Sequence, residues 1–308
     1  MEISLDAVIV AVTDNAPRLL TITGPAGQPA LPAGLLEPHD QTLELGLRRW
    51  VQEQTGLDVG YVEQLYTFGD RVRGAAEMVA GDGHRRLSIA YLALVREGRP
   101  SEGASWRDFY HFFPWEDHRQ GRPSMIDSHI LAALDRFIAR GGDSSAKGRA
   151  ERVKIVFGEG GSEATFDGLR ALERYELLYE AGLLFESDPD RIELDGGLPA
   201  SRPMYLDHRR IAATALGRLR GKLTYRPVVF ELLPDRFTLL QLQQVVEALA
   251  GVGLHKQNFR RLVEGAGLVE GTGEHARTGG RPAELFRFRR EVLGERPRPG
   301  VGTPWVRA

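Results

Sequence analysis

The last eighty residues contain the order of elements that most restricts what this chain can fold into. A capping-box pair, Thr238 and Gln241, opens a periodic apolar segment that predicts a helix over 238–250. A glycine turn separates it from a second helix predicted over 255–265. Two apolar segments on either side of a basic, glycine-rich loop follow, and such segments are typical of strands.

Two helices followed by a two-stranded hairpin predict a winged helix-turn-helix domain over 224–291, with a Pro/Gly-rich tail over 292–308 that we expect to be disordered. The charge distribution agrees with a DNA-binding function. Residues 254–296 hold nine Lys/Arg against six Glu, although the whole chain has a net charge of −2. A locally basic segment in a slightly acidic protein is typical of a surface that meets phosphate.

The polar side of the second helix carries the side chains that read base edges in the major groove. Arg and Lys pair with guanine or phosphate, and Gln and Asn pair with adenine. The basic loop has the composition of a wing that contacts the DNA backbone or the minor groove. The alternatives are an ordinary amphipathic surface helix and a tight basic hairpin turn. The candidate DNA-binding residues are His255, Lys256, Gln257, Asn258, Arg260, Arg261, Arg277, Thr278 and Arg281.

The first hundred residues predict an α/β unit, because segments with strand composition surround one amphipathic helix. The predicted strands cover 7–12, 18–22, 61–68 and 87–95, and the helix covers 42–55. The middle of the chain predicts helices over 126–140 and 163–182, a polar glycine-rich loop over 141–147, a short strand over 153–157, and a basic helix over 207–221.

Residues 34–57 (GLLEPHDQTLELGLRRWVQEQTGL) resemble the Nudix box, in which glutamates one helical turn apart bind divalent metals that neutralise a diphosphate and activate water. Aligned from Gly56, the chain keeps Arg49 and Glu53. It has Trp50 and Gln54 where the box has its first and last metal-binding glutamates. Trp cannot bind Mg²⁺ and Gln binds it poorly, so the sequence predicts a Nudix-like fold without catalysis and without a metal site.

A Nudix pocket that lacks metal ligands can still bind a nucleotide, and we predict effector contacts at Arg49, Glu53 and Gln54. One alternative is that Arg49 and Glu53 form only an i,i+4 ion pair on the helix. The other is an active hydrolase, in which Glu37, Asp40 and Glu44 supply a displaced metal site. Metal-dependent release of AMP would distinguish the hydrolase from a sensor.

The chain as a whole resembles the Nudix-related transcriptional regulators of NAD metabolism of the NrtR type, and especially their longer alphaproteobacterial relatives of the NadQ type. The resemblance covers the Nudix part, a connecting helix and the winged helix. The segments that carry it are EQLYTFG at 63–69, LSIAYLALV at 87–95, DHRRI at 207–211, LRGKLTY at 219–225, FELLP at 230–234, HKQNFRR at 255–261 and GRPAELFRF at 280–288.

The resemblance implies a Nudix-like α/β/α sandwich over 1–223, with a helical insertion over about 100–203, and the winged helix behind it. It implies a homodimer on a pseudo-palindromic operator, and a repressor of genes for NAD biosynthesis or salvage. Some relatives of similar architecture control sugar catabolism instead. The effector would be an adenine nucleotide such as ADP-ribose, NAD or ATP, and no cofactor is required.

The composition indicates in which cellular compartment the protein works. The chain has no cysteine, which excludes disulfides and thiolate metal sites. No apolar run approaches the ~20 residues of a membrane span, so we expect a cytoplasmic protein without a membrane partner. A winged helix that contacts protein instead of DNA is the remaining alternative. Such an interaction would not depend on salt, whereas DNA binding through phosphates weakens steeply as salt rises.

Overall fold

The computed structural model describes residues 2–25, 27–69, 86–140, 142–158, 166–187, 198, 202–277 and 282–302. The strands are β1 (Glu2–Thr13), β2 (Ala16–Thr23), β3 (Pro29–Ala30), β4 (Ala33–Leu35), β5 (Tyr61–Phe68), β6 (Arg86–Leu94), β7 (Ala104–Asp108), β8 (Val269–Ala276) and β9 (Ala283–Phe288). The α-helices are α1 (Leu43–Thr55), α2 (Leu131–Ala139), α3 (Asp143–Phe157), α4 (Ala171–Glu180), α5 (His208–Tyr225), α6 (Leu239–Ala250), α7 (Lys256–Gly265) and α8 (Val292–Glu295).

Strands β1 to β7 form one mixed sheet in the order β3-β2-β1-β6-β5, with β4 also beside β1 and β7 also beside β2. The β1–β6 pair is parallel, with Leu5 opposite Ile89. Side chains alternate between the two faces of β1. Leu5 and Ile9 point to a small core, whereas Val8 and Val10 point to a large one. The four predicted strands are confirmed.

Helix α1 covers the smaller core and is the predicted helix over 42–55. Thr42 caps its first turn by accepting a hydrogen bond from the backbone N–H of Leu45, and Gly56 ends it in the left-handed conformation at φ 68°. Leu47 and Val51 are buried against the sheet. The backbone N–H of Leu36 donates to the carbonyl of Ile3 at 2.9 Å, which holds the loop between β4 and α1 against the start of β1.

The larger core runs without a break from the other face of the sheet into the winged helix. It contains Val10 from β1, Tyr175 from α4, Leu216 from α5, Val246 from α6 and Phe259 from α7. Since one apolar core includes all these elements, the two halves of the chain are packed against each other directly. The inserted segment lies within this core and contacts both halves.

Two predictions in the insertion are wrong. Residues 143–147 are not a loop and 153–157 are not a strand, because Asp143–Phe157 is one helix. Val153, Val156 and Phe157 are buried at helical spacing. The helix over 126–140 is confirmed as α2 with a preceding π-helical turn, Ile126–Ile130. The helix predicted over 163–182 is shorter, because α4 begins at Ala171; residues 163–165 lie outside the described residues.

The winged helix has the predicted elements. The capping box of Thr238 and Gln241 is present at the start of α6, with both reciprocal hydrogen bonds formed. The first part of the tail is packed, in contrast to the expected disorder, because 292–295 form α8 and Val301 is buried, donating its backbone N–H to the carbonyl of Leu223 at 2.8 Å. Residues 303–308 lie outside the described part.

Among the described residues, no helix is both long and apolar enough to cross a bilayer.

Candidate functional site

Helix α7 is amphipathic, and its polar side is open to solvent. Phe259 and Val263 are 5% and 0% exposed and anchor the helix in the core. Leu262, which the sequence pattern places with them, is 42% exposed. The predicted contact residues on and next to this helix all lie on the exposed side: His255, Lys256, Gln257, Asn258, Arg260 and Arg261.

The wing is the antiparallel hairpin of β8 and β9, in which Val269 lies opposite Phe288 and Ala276 opposite Ala283. Phe237 pairs with Phe286 of β9 in an isolated β-bridge, through two backbone hydrogen bonds at 3.0 and 2.8 Å. Arg277 is exposed at the tip of the hairpin. Thr278 and Arg281, also predicted to contact DNA, lie outside the described residues.

In the Nudix-like part, Arg49 bonds mainly to Asp40. Its Nε and Nη2 donate to the two carboxylate oxygens of Asp40 at 3.1 and 3.0 Å. Its contact with Glu53 is longer, at 3.5 Å, and its guanidinium lies 4.5 Å from the centre of the Trp50 ring. The hydrogen bond from Arg49 lowers the pKa of Asp40 to about 2. The predicted i,i+4 pair exists, but it is the weaker of the two ion pairs.

Trp50 and Gln54, which the sequence predicts to stand at two metal-binding positions of the Nudix box, connect α1 to β4 by hydrogen bonds. Trp50 Nε1 donates to the carbonyl of Leu35 at 2.8 Å. Gln54 donates to the carbonyl of Ala33 at 2.8 Å and accepts the Ala33 N–H at 3.0 Å. A Cβ on Gly34 would lie 2.0 Å from the Trp50 ring. Trp50 and Gln54 therefore have structural partners, which sequence reasoning did not predict.

Of the three carboxylates that could form a displaced metal site, Glu37, Asp40 and Glu44, the last two are paired with arginines. Asp40 accepts from Arg49 as described above, and Glu44 accepts from Arg48 at 2.8 Å. The described residues contain no group of three or more His, Asp or Glu side chains that could hold a metal ion.

A cavity of about 210 Å³ lies between the sheet and the start of α5, and we call it the α5 cavity. Residues 33–35 form one wall, and the aromatic residues Phe68 and Tyr205 also line the cavity. Arg49, Glu53 and Gln54 do not line it. Its polar lining residues are Ser4, Asp6, Ser88, Asp207 and His208.

Asp6, Ser88 and His208 form a polar group at one end of this cavity. The Ser88 hydroxyl donates to one carboxylate oxygen of Asp6, and His208 Nε2 lies 3.2 Å from the other. His208 Nδ1 accepts the backbone N–H of Leu31 at 2.9 Å, so the ring proton is on Nε2, the nitrogen nearer to Asp6. Asp6 is 2% exposed and His208 6%. The signal in the sequence was an aspartate directly before the apolar run over 7–12.

A second buried polar group, which we call the Glu116 cluster, consists of Glu116, Arg174 and Arg220. Both arginines donate to the Glu116 carboxylate, and Glu116 and Arg220 are fully buried. Burial raises the pKa of Glu116, but the two arginines outweigh it and hold the pKa below its usual range. Glu116 and Arg174 belong to the insertion and Arg220 to α5, so the cluster fastens the insertion to the connecting helix.

The Glu116 cluster also holds the turn between α6 and α7. A Cβ on Gly251, which has φ 72° and ends α6, would lie 2.5 Å from Nη2 of Arg220 and 2.5 Å from the carbonyl oxygen of Glu116. His118 donates its backbone N–H to the Gly251 carbonyl at 2.7 Å. The Tyr110 hydroxyl donates to the carbonyl of Ala248 at 2.7 Å. The insertion thus contacts the helix-turn-helix directly.

Comparison with known proteins identifies the C-terminal part. Residues 229–288 match the protein family described as the NrtR DNA-binding winged helix domain. The ADPR responsive transcriptional repressor NtrR of Acinetobacter baylyi is 39% identical over 82 residues, which are 27% of this chain and 33% of that protein. The chain thus matches this curated relative over one third of the relative's length.

Solved structures share the fold over nearly the whole chain. The NrtR of Shewanella oneidensis complexed with a 27mer DNA is 20% identical, covers 95% of each chain, and gives a TM-score of 0.56. A MutT/nudix family protein from Enterococcus faecalis is 15% identical, covers 94% of this chain and 86% of its own, and gives 0.53. The predicted fold class, a Nudix-like α/β part with a C-terminal winged helix, is confirmed, and so is the resemblance to NrtR-type regulators.

Proposed function

Since residues 229–288 form a winged helix domain of the NrtR DNA-binding family, we propose that this chain is a transcriptional repressor controlled by an adenine nucleotide. The winged helix, over 224–291, binds operator DNA. The Nudix-like part, over 1–223, binds the effector, and ADP-ribose is the first candidate, ahead of NAD and ATP. The regulated genes are those of NAD biosynthesis or salvage, and the protein works in the cytoplasm.

The observation that carries this proposal is the match of the winged helix together with the exposed, basic side of α7. A recognition helix must offer arginine, lysine and amide side chains to the major groove while its apolar side stays in the core. Helix α7 has this arrangement.

The effector assignment draws on the name of the Acinetobacter relative, which is 39% identical over 82 residues. We also propose a homodimer, because winged helices read two half-sites about one helical turn apart.

We propose that the Nudix-like part binds without hydrolysing. Trp50 and Gln54, which replace two metal-binding glutamates, hydrogen-bond to the backbone of β4. Of the three residues predicted to contact the effector, Glu53 is the most accessible to a ligand, since its side chain is 51% exposed. Arg49 and Gln54 would have to give up bonds to Asp40 and Ala33 in order to reach a ligand.

Helix α5 is the element that we propose to couple the two halves. Its first residue, His208, lines the α5 cavity, and Arg220 lies in the Glu116 cluster beside the turn of the helix-turn-helix. Twelve residues separate them, which is about 18 Å at the rise of an α-helix. A ligand that shifts the start of α5 would therefore shift the turn that sets the position of α7. Such coupling requires two states with different effector affinity.

Fluorescence anisotropy tests the function. Labelled DNA from upstream of the chain's own gene, or of a neighbouring NAD operon, is titrated with the protein, with random DNA of equal length as control. ADP-ribose, NAD and ATP are then added to the complex. We expect specific binding that one nucleotide weakens. Binding no stronger than to random DNA would contradict the proposal, and Mg²⁺-dependent release of AMP would then point to a hydrolase.

A further inference from the structure

We propose that the α5 cavity recognises a nucleobase that bears an amino group, which is adenine in the effector class named above, and that Asp6 is the acceptor that reads this amino group. This inference rests on the proposed function and deepens it by naming the part of the effector that is recognised. It places recognition away from the box residues, between the sheet and the helix that leads to the DNA-binding domain.

The size and walls of the cavity fit a single flat ring. Its volume is about 210 Å³, which is below the ~300–1,000 Å³ of sites that enclose a whole drug-sized ligand. It therefore holds one part of a larger molecule. Phe68 and Tyr205 supply aromatic surface and Ile211 supplies aliphatic surface. Aromatic side chains stack on every base, since each base has a π-face.

The polar end of the cavity accepts hydrogen bonds and repels anions. Asp6 accepts a hydrogen bond from the Ser88 hydroxyl and lies 3.2 Å from Nε2 of His208. A carboxylate has about four acceptor positions, so Asp6 keeps acceptor capacity for a ligand. A ligand atom that meets Asp6 must donate, as an amino group does. A phosphate at this position would be repelled, and the diphosphate of the effector must therefore lie outside the cavity.

The Ser88 hydroxyl holds one oxygen of the Asp6 carboxylate. The backbone N–H of Leu31 occupies Nδ1 of His208 and thereby fixes the imidazole ring, whose Nε2 lies 3.2 Å from the other oxygen. His208 is the first residue of α5. A base bonded to Asp6 would contact Tyr205 and would lie next to His208, at the start of α5. The other end of α5 lies beside the turn between α6 and α7.

The competing explanation is that this polar group only fastens α5 to the sheet. The two explanations differ in what an Asp6→Asn variant does to ligand choice. The amide of Asn keeps an oxygen for one of the two internal donors and gains an N–H₂ group, which can face a carbonyl. A structural role predicts no dependence of ligand choice on this exchange.

The experiment is isothermal titration calorimetry on the full chain with ADP-ribose and with its hypoxanthine counterpart, in which a carbonyl replaces the amino group at position 6. Adenosine and inosine serve as minimal probes. We expect the wild type to bind the amino form at least tenfold more tightly, and Asp6→Asn to lose or reverse this preference. The matched control is Asp40→Asn, a carboxylate of the same part that bonds to Arg49 outside the cavity; its preference should equal that of the wild type.

Equal binding of the two ADP-ribose forms by the wild type would overturn this inference and leave the proposed function standing. A preference for adenosine over inosine without ADP-ribose binding would support the cavity and contradict the effector assignment. No binding of any probe at millimolar concentration would overturn the cavity proposal, while the anisotropy experiment decides DNA binding separately.

If Asp6→Asn does not fold, Tyr205→Leu tests the same cavity through its aromatic wall. We expect it to weaken both base forms about equally, by roughly tenfold, because stacking is lost while Asp6 still reads the amino group. Unchanged affinity for both forms would overturn the proposal.

Discussion

Two groups of arginines in this molecule have opposite environments. On α7, Arg260 and Arg261 are exposed, and among the described residues Arg260 has no side-chain hydrogen bond or ion pair. In the Glu116 cluster, Arg174 and Arg220 are 3% and 0% exposed, and both bond to one carboxylate. The same side chain is thus available to an external phosphate or base in one place and holds two parts of the chain together in the other.

The difference comes from the partner and its distance along the chain. Glu116 lies 104 residues before Arg220, so the carboxylate that neutralises this arginine is brought in by tertiary packing. A count of charges in the sequence cannot distinguish the two groups. Variants that remove one charge from each group should therefore change different quantities: stability for the Glu116 cluster and DNA affinity for α7.

The largest effect is expected from Glu116→Gln, which leaves two arginines buried without a counter-charge. Removing one partner of a buried ion pair costs about 3–5 kcal/mol, and we expect a loss of this size in the free energy of unfolding, measured by denaturant titration. Glu173→Gln is the control, because its ion pair with Arg170 is exposed and exposed pairs contribute about 0–1 kcal/mol. Equal small losses in both variants would show that the cluster does not stabilise the packing of the insertion on α5.

The next effect is a dependence of stability on pH that originates at His118. Burial lowers the pKa of His118 from 6.5 to about 4, and the charge of Arg174 also lowers it. Between these values the unfolded chain binds a proton that the folded chain does not. Stability is therefore fully present above pH 6.5 and falls as the pH drops towards 4, by up to about 3 kcal/mol at 1.36 kcal/mol per pKa unit. Thermal unfolding across this range measures it.

His118→Gln should flatten that pH dependence, since the group that titrates is gone. His129→Gln is the matched control, because His129 is exposed on the turn before α2 and should leave the dependence intact. A slope that survives in His118→Gln would assign it to other groups.

The sequence predicts those parts of the fold that depend on residues close together in the chain, and it does not predict those that depend on distant residues. The capping box of α6, the glycine stop of α1 and the amphipathic face of α7 depend on residues close together in the chain, and all three were predictable. The helix over Asp143–Phe157 was not, because its polar first half has the composition of a loop and the side chains that anchor it, Val153, Val156 and Phe157, lie near its end. Contacts with other helices decide its structure.

The two candidate sites also differ in how far the sequence predicts them. The exposed side of α7 could be predicted from helical periodicity. The α5 cavity could not, since Ser88 reaches Asp6 across 82 residues and His208 reaches Leu31 across 177. The box residues were recognised from their spacing, but their contacts with β4 and Asp40 were not predictable, because they depend on how the preceding loop folds back on α1.

Among the exposed arginines of α7, Arg260 gives the next prediction. Arg260→Ala should weaken operator binding by about 1–3 kcal/mol if Arg260 reads a guanine. The loss should appear for the operator and be small for random DNA, because base contacts carry specificity. Arg152→Ala is the control, as Arg152 is an exposed arginine on α3 that bonds to Glu180. Stability should be unchanged in both. Unchanged operator affinity in Arg260→Ala would refute α7 as the recognition helix.

The smallest effect is expected from Lys256→Ala, at the first residue of α7. A lysine at a helix N-terminus is placed to meet a phosphate, where backbone N–H groups also favour an anion. Each phosphate contact contributes about 0.9 to the slope of log affinity against log salt. The variant should therefore bind operator and random DNA more weakly by the same factor, with a slope reduced by about one. A loss confined to the operator would instead mean that Lys256 reads a base, and an unchanged slope would place it off the DNA.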